Sequence, residues 1–243
     1  MSTLSFEPLQ LLIRKLNRLT PLDSADRAAL MQLKLSFQTA DSSQTLVRQG
    51  DLAERCCLLV EGSAFRYKLA ANGGRQIVSF HVPGDLLDVQ HLLLPRADHS
   101  VQTVANAVVA VINATDLRNV MRTRPRVGDA LWRESLVDAS IFREWVLNVG
   151  RRCAKTRVAH MLCEFATKLQ SVGLGAPERF DLPMSQELIA DATGLTPIHV
   201  NRMLRALTED GVIERDKREV RIVNWSRMQK VAEFKADYLH HGM

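Results

Sequence analysis

The sequence predicts an α+β chain: an antiparallel β-roll behind a helical cover, then one long helix, then a C-terminal winged helix-turn-helix. Three observations carry this. Between about Ser36 and Ile112, short β runs alternate with glycine-bearing turns. From Val127 to Val149, apolar residues return every three or four positions. Met184 to Leu207 reads as two short helices around a tight turn. The 243 residues are 46% hydrophobic, enough for two modest cores. The expected domains are 1–124 (helices and roll), 125–152 (long helix) and 153–243 (winged helix-turn-helix).

Lysine and arginine number 32 and acids 27, a net charge of +5. Residues 1–120 hold 12 basic and 11 acidic residues, 121–150 hold 5 and 4, and 151–243 hold 15 and 12, giving +1, +1 and +3. The excess leans toward the helix-turn-helix end, as a phosphate-binding surface requires. No apolar stretch approaches membrane-spanning length, and no apolar run follows a basic start. The chain is therefore expected in the cytoplasm, away from membranes. Cys56, Cys57, Cys153 and Cys163 form no Cys-x-x-Cys pair, which argues against a zinc or iron–sulfur site. Adjacent Cys56 and Cys57 point to opposite faces of a strand. All four read as small core or surface residues, with thiol redox sensing as the alternative.

Leu9, Leu12, Ile13 and Leu16 carry helical spacing up to Thr20-Pro21, and Asp23-Ser24 opens a second helix through Leu30 and Leu33. Leu46-Val47, Cys57–Val60, Ala64–Leu69, Gln76–Phe80, Val101–Val104 and Ala107–Ile112 read as strands. Asn72-Gly73-Gly74 is a hairpin turn between two of them. Thr115-Asp116-Leu117 caps a short helix. In the long helix, Leu131, Ser135, Asp138, Phe142, Trp145 and Val149 are expected to form a dimer seam. Thr156 to Leu169 is helical, Phe180–Leu182 is a short strand, and Gly211–Arg215 with Glu219–Val223 form a hairpin with Asp216-Lys217-Arg218 at its tip. A last helix is expected from Trp225 to about Leu239.

The helix-turn-helix carries the functional expectation. Ser185 caps the first helix, Gly194 ends it, Thr196 caps the second, and Pro197 takes its first position. Val200, Met203, Leu204 and Leu207 form a buried stripe, which leaves His199, Asn201, Arg202 and Arg205 to another face. Arg202 is the expected base contact, because its planar fork matches guanine O6 and N7. Asn201 and His199 are expected on bases or phosphates, and Ile198 on a thymine methyl. Ser185, Gln186, Thr196, Lys217 and Arg218 are expected on phosphates.

With this order of elements, the chain resembles the CRP/FNR superfamily of bacterial transcription regulators. The resemblance rests on Gln49-Gly50-Asp51, Leu58–Gly62, Gly74–Phe80, Pro83-Gly84-Asp85, and above all Gln186–Thr196 with Val200–Leu204. It implies a cyclic-nucleotide-binding-like sensory roll, a homodimer on palindromic operator DNA, and a contact with RNA polymerase. Where cyclic-AMP-binding members place a Gly-Glu pair and an Arg-Ser or Arg-Thr pair, this chain has Asp88-Val89 and His99-Ser100. The ribose carboxylate and the phosphate guanidinium are missing, so the effector pocket reads as degraded and cyclic AMP as disfavoured. Residues 1–35 lack cysteine, which argues against the iron–sulfur cluster of other members. His81, His91 and His99 leave haem open. Many members carry glutamate where Ile198 stands, so the operator is expected to differ there. No phosphate loop, nucleophile elbow or paired metal motif supports an enzyme. Two alternatives stand beside the sensor-regulator: a small-molecule- or cyclic-nucleotide-binding module with secondary DNA binding, and an effector-independent regulator set by abundance or a protein partner.

Overall fold

The computed structural model describes residues 8–240. The expected first and last domains also include residues 1–7 and 241–243, which lie outside the described residues. The chain forms two compact units. The first runs up to Arg66 and resumes from His81 to Ala139; the second joins Tyr67–Phe80 to Ser140–Leu239. No described helix is long and apolar enough to cross a membrane.

In the first unit, α1 (Pro8–Leu19) buries Leu9, Leu12, Leu16 and Leu19 on one stripe. Helix α2 (Ser24–Met31) opens on a capping box. The Asp23 carboxylate accepts from the Asp26 amide at 2.9 Å, and the Asp26 carboxylate accepts from the Asp23 amide at 3.1 Å. The seven strands of the roll are β1 (Leu35–Ala40), β2 (Thr45–Val47), β3 (Arg55–Glu61), β4 (Ala64–Leu69), β5 (Arg75–His81), β6 (Ser100–Thr103) and β7 (Ala107–Asn113). They form two sheets in the orders β1-β7-β3 and β2-β6-β4-β5. The strand β1 and a 3-10 turn at Val89–Leu92 go beyond the runs singled out in the sequence.

Strand β3 is buried on both faces, which explains its unbroken apolar run. Cys56 and Leu58 pack with Leu12, Leu16, Leu117, Val127 and Leu131. Their neighbours Cys57 and Leu59 face the other way, onto Val47, Leu87, Val101 and Val109. The period-two alternation expected for the cysteine pair is thus realised. Burial pushes the Cys57 thiol up to about 12 and the Cys56 thiol higher still, with the Asp88 carboxylate adding to both shifts. Helix α3 (Ala114–Thr123) is capped by Asn113, whose side-chain oxygen accepts from the Thr115 amide at 2.8 Å. This corrects the expected cap at Thr115-Asp116, because Asn113 ends β7 in the extended conformation that an N-cap needs.

The long helix α4 runs Pro125–Arg151, starting on proline at a position where a missing amide costs nothing. In the first unit it brings Glu134 onto Lys15, which also bonds Asp85 at 2.6 Å. Burial works against the ammonium of Lys15, but the two carboxylates more than reverse it and hold its pKa above the ordinary lysine value.

In the second unit, α5 (Ala154–Ser171) buries Val158, Met161, Leu162 and Phe165 and leaves Leu169 half-buried. The strands β8 (Arg179–Asp181), β9 (Ile213–Asp216) and β10 (Glu219–Ile222) form a sheet in the order β8-β10-β9. Helices α6 (Gln186–Thr193) and α7 (Pro197–Glu209) are the expected pair. The last helix is shorter than expected: α8 covers Trp225–Ala232, and a 3-10 turn follows at Ala236–Leu239. Glu233 takes a left-handed conformation (φ 48°). That break turns buried Phe234 inward, 5.3 Å from the His160 ring.

Gly62 closes the β3–β4 turn at φ +86°, and a Cβ there would meet the Asn106 carbonyl oxygen at 2.6 Å. Gly62→Ala is expected to destabilise the first unit by about 1–3 kcal/mol. A urea series that leaves this unit's midpoint unchanged would contradict the steric account.

Candidate nucleic-acid interface and roll interior

The two helix starts are fixed locally. Ser185 Oγ accepts from the Leu188 amide at 3.3 Å, and Thr196 Oγ1 accepts from the His199 amide at 3.2 Å. Gly194 ends α6 at φ 66°, a conformation that costs a side-chain-bearing residue about 1–2 kcal/mol. Inside α7, Val200, Leu204 and Leu207 are fully buried. The opposite face presents Asn201, Arg202 and Arg205 to solvent, with Thr196, Pro197 and Ile198 exposed at its start. His199 and Gln186 are half-buried, while Ser185, Lys217 and Arg218 are exposed. All the sequence-expected contact residues therefore lie at the surface or near it. Ile198 stands out at 77% exposed, an apolar side chain at the head of an otherwise polar face.

The arginines on this face differ. Arg205 Nε bonds Glu209 Oε1 at 2.8 Å along the helix, whereas Arg202 has no ion pair among the described residues. Its guanidinium keeps its donors for another acceptor. At the wing tip, Lys217 holds a left-handed φ of 52°, as the two-residue turn between β9 and β10 demands.

Helix α6 is held from behind by residues whose part in this the sequence did not show. Arg75 Nε donates to Asp191 Oδ2 at 2.7 Å, and the Arg75 guanidinium lies 5.7 Å from the Tyr67 ring centre. Gln76 Nε2 donates to the Ala192 carbonyl at 3.2 Å, and Arg157 donates to the Thr193 carbonyl at 3.1 Å. These donors meet carbonyls at the C-terminal end of α6 that have no partner within the helix. Nothing in residues 75–76 signals this, because the partners lie 116 residues away.

Below this layer, Glu164 is 2% exposed. It accepts from Trp145 Nε1 at 3.0 Å and from the Tyr238 hydroxyl at 2.7 Å, with Lys168 Nζ at 3.7 Å. Lys168 in turn donates to the Phe80 carbonyl at 2.9 Å. Burial and the Glu164 carboxylate raise the Tyr238 hydroxyl well above the ordinary tyrosine value. Cys153, at the head of α5, is exposed, and hydrogen bonds from Thr156 lower its thiol below the usual value. Burial raises Cys163 instead.

The expected dimer seam needs correction. Leu131 is 1% and Trp145 5% exposed, so both are spent inside the chain. Asp138 is paired with Arg66, and Ser135 and Val149 are half-buried. Phe142 alone of the six is well exposed. The apolar side chains left to solvent on α4 are Trp132, Leu136, Phe142, Val146 and Leu147. The apolar band is wide enough for two stripes, and packing within the chain uses the one containing Leu131 and Trp145.

In the roll, Asp88, Val89 and His99 are buried, and Ser100 Oγ accepts from the Gln49 amide at 3.0 Å. Asp88 Oδ1 accepts from the Cys57 amide at 2.9 Å. Each expected histidine sits beside an aspartate: His81 by Asp85 at 3.3 Å, His91 by Asp88 at 3.4 Å, and His99 by Asp98 at 2.6 Å. The His91 and His99 rings stack 6.0 Å apart. Among the described residues, no three His, Cys, Asp or Glu side chains gather as a metal-binding group. Burial and the Arg66 guanidinium push His99 down to about 4, against the pull of Asp98. Its ordinary value is 6.5, so between pH 6.5 and 4 the unfolded chain binds a proton that the folded chain refuses. Stability present above pH 6.5 is lost as the pH falls through this window. The His99 ring carbon resonances are expected to stay flat from pH 8 to about 5; an NMR titration with a midpoint near the ordinary value would contradict this burial.

Residues 37–124 match the cyclic nucleotide-binding domain family and residues 156–231 the Crp-like helix-turn-helix domain family. The transcriptional activator protein FnrL of Cereibacter sphaeroides is 29% identical over 214 residues, covering 86% of this chain and 85% of that protein. The nitrogen fixation regulation protein FixK of Rhizobium meliloti is 31% identical over 186 residues, covering 76% and 82%. The solved structure of FixK2 from Bradyrhizobium japonicum superposes with a TM-score of 0.77 at 25% identity, covering 84% of this chain and all of that one.

Proposed function

We propose, because this chain belongs to the CRP/FNR family of DNA-binding transcription regulators, that it reads a palindromic operator as a homodimer from the cytoplasm. The observation that carries the base-reading role is the exposed face of α7, where Arg202 projects without an ion pair beside Asn201. A guanidinium with free donors in the major groove selects guanine through O6 and N7. Ile198 packs on a thymine methyl, Pro197 lies beside it at the head of the helix, His199 meets a base or a phosphate, and Arg205 reaches the DNA once it leaves Glu209. Ser185, Gln186, Thr196, Lys217 and Arg218 hold phosphates and set the register. The roll serves as the sensor. Its Asp88, Val89, His99 and Ser100 supply neither the ribose carboxylate nor the phosphate guanidinium of a cyclic-AMP site, so this reading assigns it no cyclic AMP and leaves haem open. RNA polymerase is the proposed protein partner.

Arg202→Ala is expected to lose about 1–3 kcal/mol of operator discrimination per half-site. A salt-controlled titration in which the variant still prefers operator over scrambled DNA as the wild type does would refute the assignment.

The dimer rests on the exposed stripe of α4. Trp132, Leu136, Phe142 and Val146 are each about half exposed, and they fall on one side of the helix, as a coiled-coil-like seam requires. Half-sites are then spaced by one helical turn of DNA, roughly 34 Å. Leu136→Glu is expected to shift the protein from dimer to monomer in light scattering at about 10 µM. A wild-type monomer, or a variant that stays dimeric, would remove the seam from this face.

A further inference from the structure

Helices α4 and α5 meet at a two-residue corner, Arg152-Cys153. The backbone does little to stiffen it. Gly150 lies in the last turn of α4 with open space where a Cβ would stand, and glycine resists unwinding less than any other residue with a free amide. Side chains hold the corner instead. Asn148 is buried; its Nδ2 donates to the Arg157 carbonyl at 3.3 Å, and its Oδ1 accepts from Arg152 Nη1 at 3.4 Å. Arg152 is buried too, and its Nη2 donates to Glu144 Oε1 at 2.6 Å.

One side chain carries this corner onward. Arg157 is half-buried. Its Nε donates to the Arg152 carbonyl at 2.9 Å, and its Nη1 donates to the Thr193 carbonyl at 3.1 Å. Thr193 is the last residue of α6 and is 1% exposed. Its carbonyl cannot be served by the next helix in the ordinary way, because the residue four positions on is Pro197, which has no amide hydrogen. A buried carbonyl left without a donor destabilises its surroundings, so the guanidinium fills a defined gap. Arg157 Nη1 also lies 3.7 Å from the point where a Cβ on Gly194 would stand, against the turn between α6 and α7. The guanidinium is planar and rigid, so the two carbonyls it joins are held at a fixed distance and angle.

From this geometry we infer that Arg157 is the positioning residue that sets the spacing between the two half-sites. The exposed residues Phe142 and Val146 place the proposed dimer seam on the same stretch of α4 that ends in the corner. The corner therefore fixes α5 relative to the dimer axis, and Arg157 passes that setting to the turn of the helix-turn-helix. Its task differs from that of Arg202: Arg202 reads one half-site, whereas Arg157 decides where the second must lie. The inference deepens the reading of the chain as a dimeric operator-binding regulator and rests on it.

The test begins with selection of the full wild-type chain on a random duplex library, which supplies the operator. Duplexes then carry its two half-sites with the spacer unchanged or altered by one, two or three base pairs. Each base pair turns one half-site by about 35° around the DNA axis. In fluorescence anisotropy titrations at fixed salt, the wild type is expected to favour the selected spacer over a two-base-pair change by at least about tenfold. Arg157→Met keeps an unbranched stem but no donor, and is expected to compress that preference to about threefold or less. Scrambling one half-site is expected to cost this variant as much as it costs the wild type. Arg157→Lys keeps the charge without the fork and is expected to fall between the two; it also serves should Arg157→Met fail to fold. A sharp wild-type profile that the folded variants keep would overturn the proposal. So would loss of half-site discrimination together with spacing, which would make Arg157 a contributor to folding alone. A wild type indifferent to the spacer would instead overturn the dimer reading, and this inference with it.

Discussion

A buried carboxylate must be fully partnered or it destabilises the fold that contains it. Glu164 meets that condition in the second unit with Trp145 from α4, Tyr238 from the C-terminal turn and Lys168 one helical turn along α5. The set makes α5 a fixed pillar. Helices α6, α7 and α8 all pack on it, so the exposed polar face of α7 inherits its position from a carboxylate that cannot move without losing its partners. Phe80 joins the same knot, with its ring 5.9 Å from Trp145 and its carbonyl on Lys168. The exposed polar face is held in place by polar groups beneath it as much as by apolar ones.

Local chemistry was legible in the sequence, and distant pairing was not. The caps at Ser185 and Thr196, the left-handed Gly194 and the proline at the start of α7 each depend on neighbours within four residues, so the helix-turn-helix could be read directly. The β3 run was legible too, because a strand buried on both faces leaves an unbroken apolar string. The Lys15–Glu134 pair, 119 residues apart, and Arg75–Asp191, 116 apart, leave no local trace. Helix α4 hides the inward packing of Leu131 and Trp145 for a different reason. Its helical period was plain, but a band wide enough for two stripes does not say which one the chain keeps for itself. The Glu233 break was hidden because α8 and its extension share one helical pattern that only the packing of Phe234 interrupts.

The β4–β5 hairpin shows how sequence families and compactness divide a chain differently. By family match it lies within the cyclic nucleotide-binding region, residues 37–124. By contacts, Tyr67–Phe80 belongs with the helix-turn-helix. Arg75 and Gln76 contribute, Arg75 through the Asp191 side-chain carboxylate and Gln76 through the Ala192 carbonyl at the end of α6. A hairpin that is covalently part of the roll thus takes part in holding α6.

The thiols differ in a way that reaches beyond the fold. Cys56, Cys57 and Cys163 are buried and kept protonated, while Cys153 is exposed and ionises more readily. The native chain therefore offers one nucleophilic sulfur to a maleimide dye. It comes with its own attachment point for a fluorophore, at the head of the pillar helix, and optical study of the DNA-binding unit can begin without engineering a cysteine-free background.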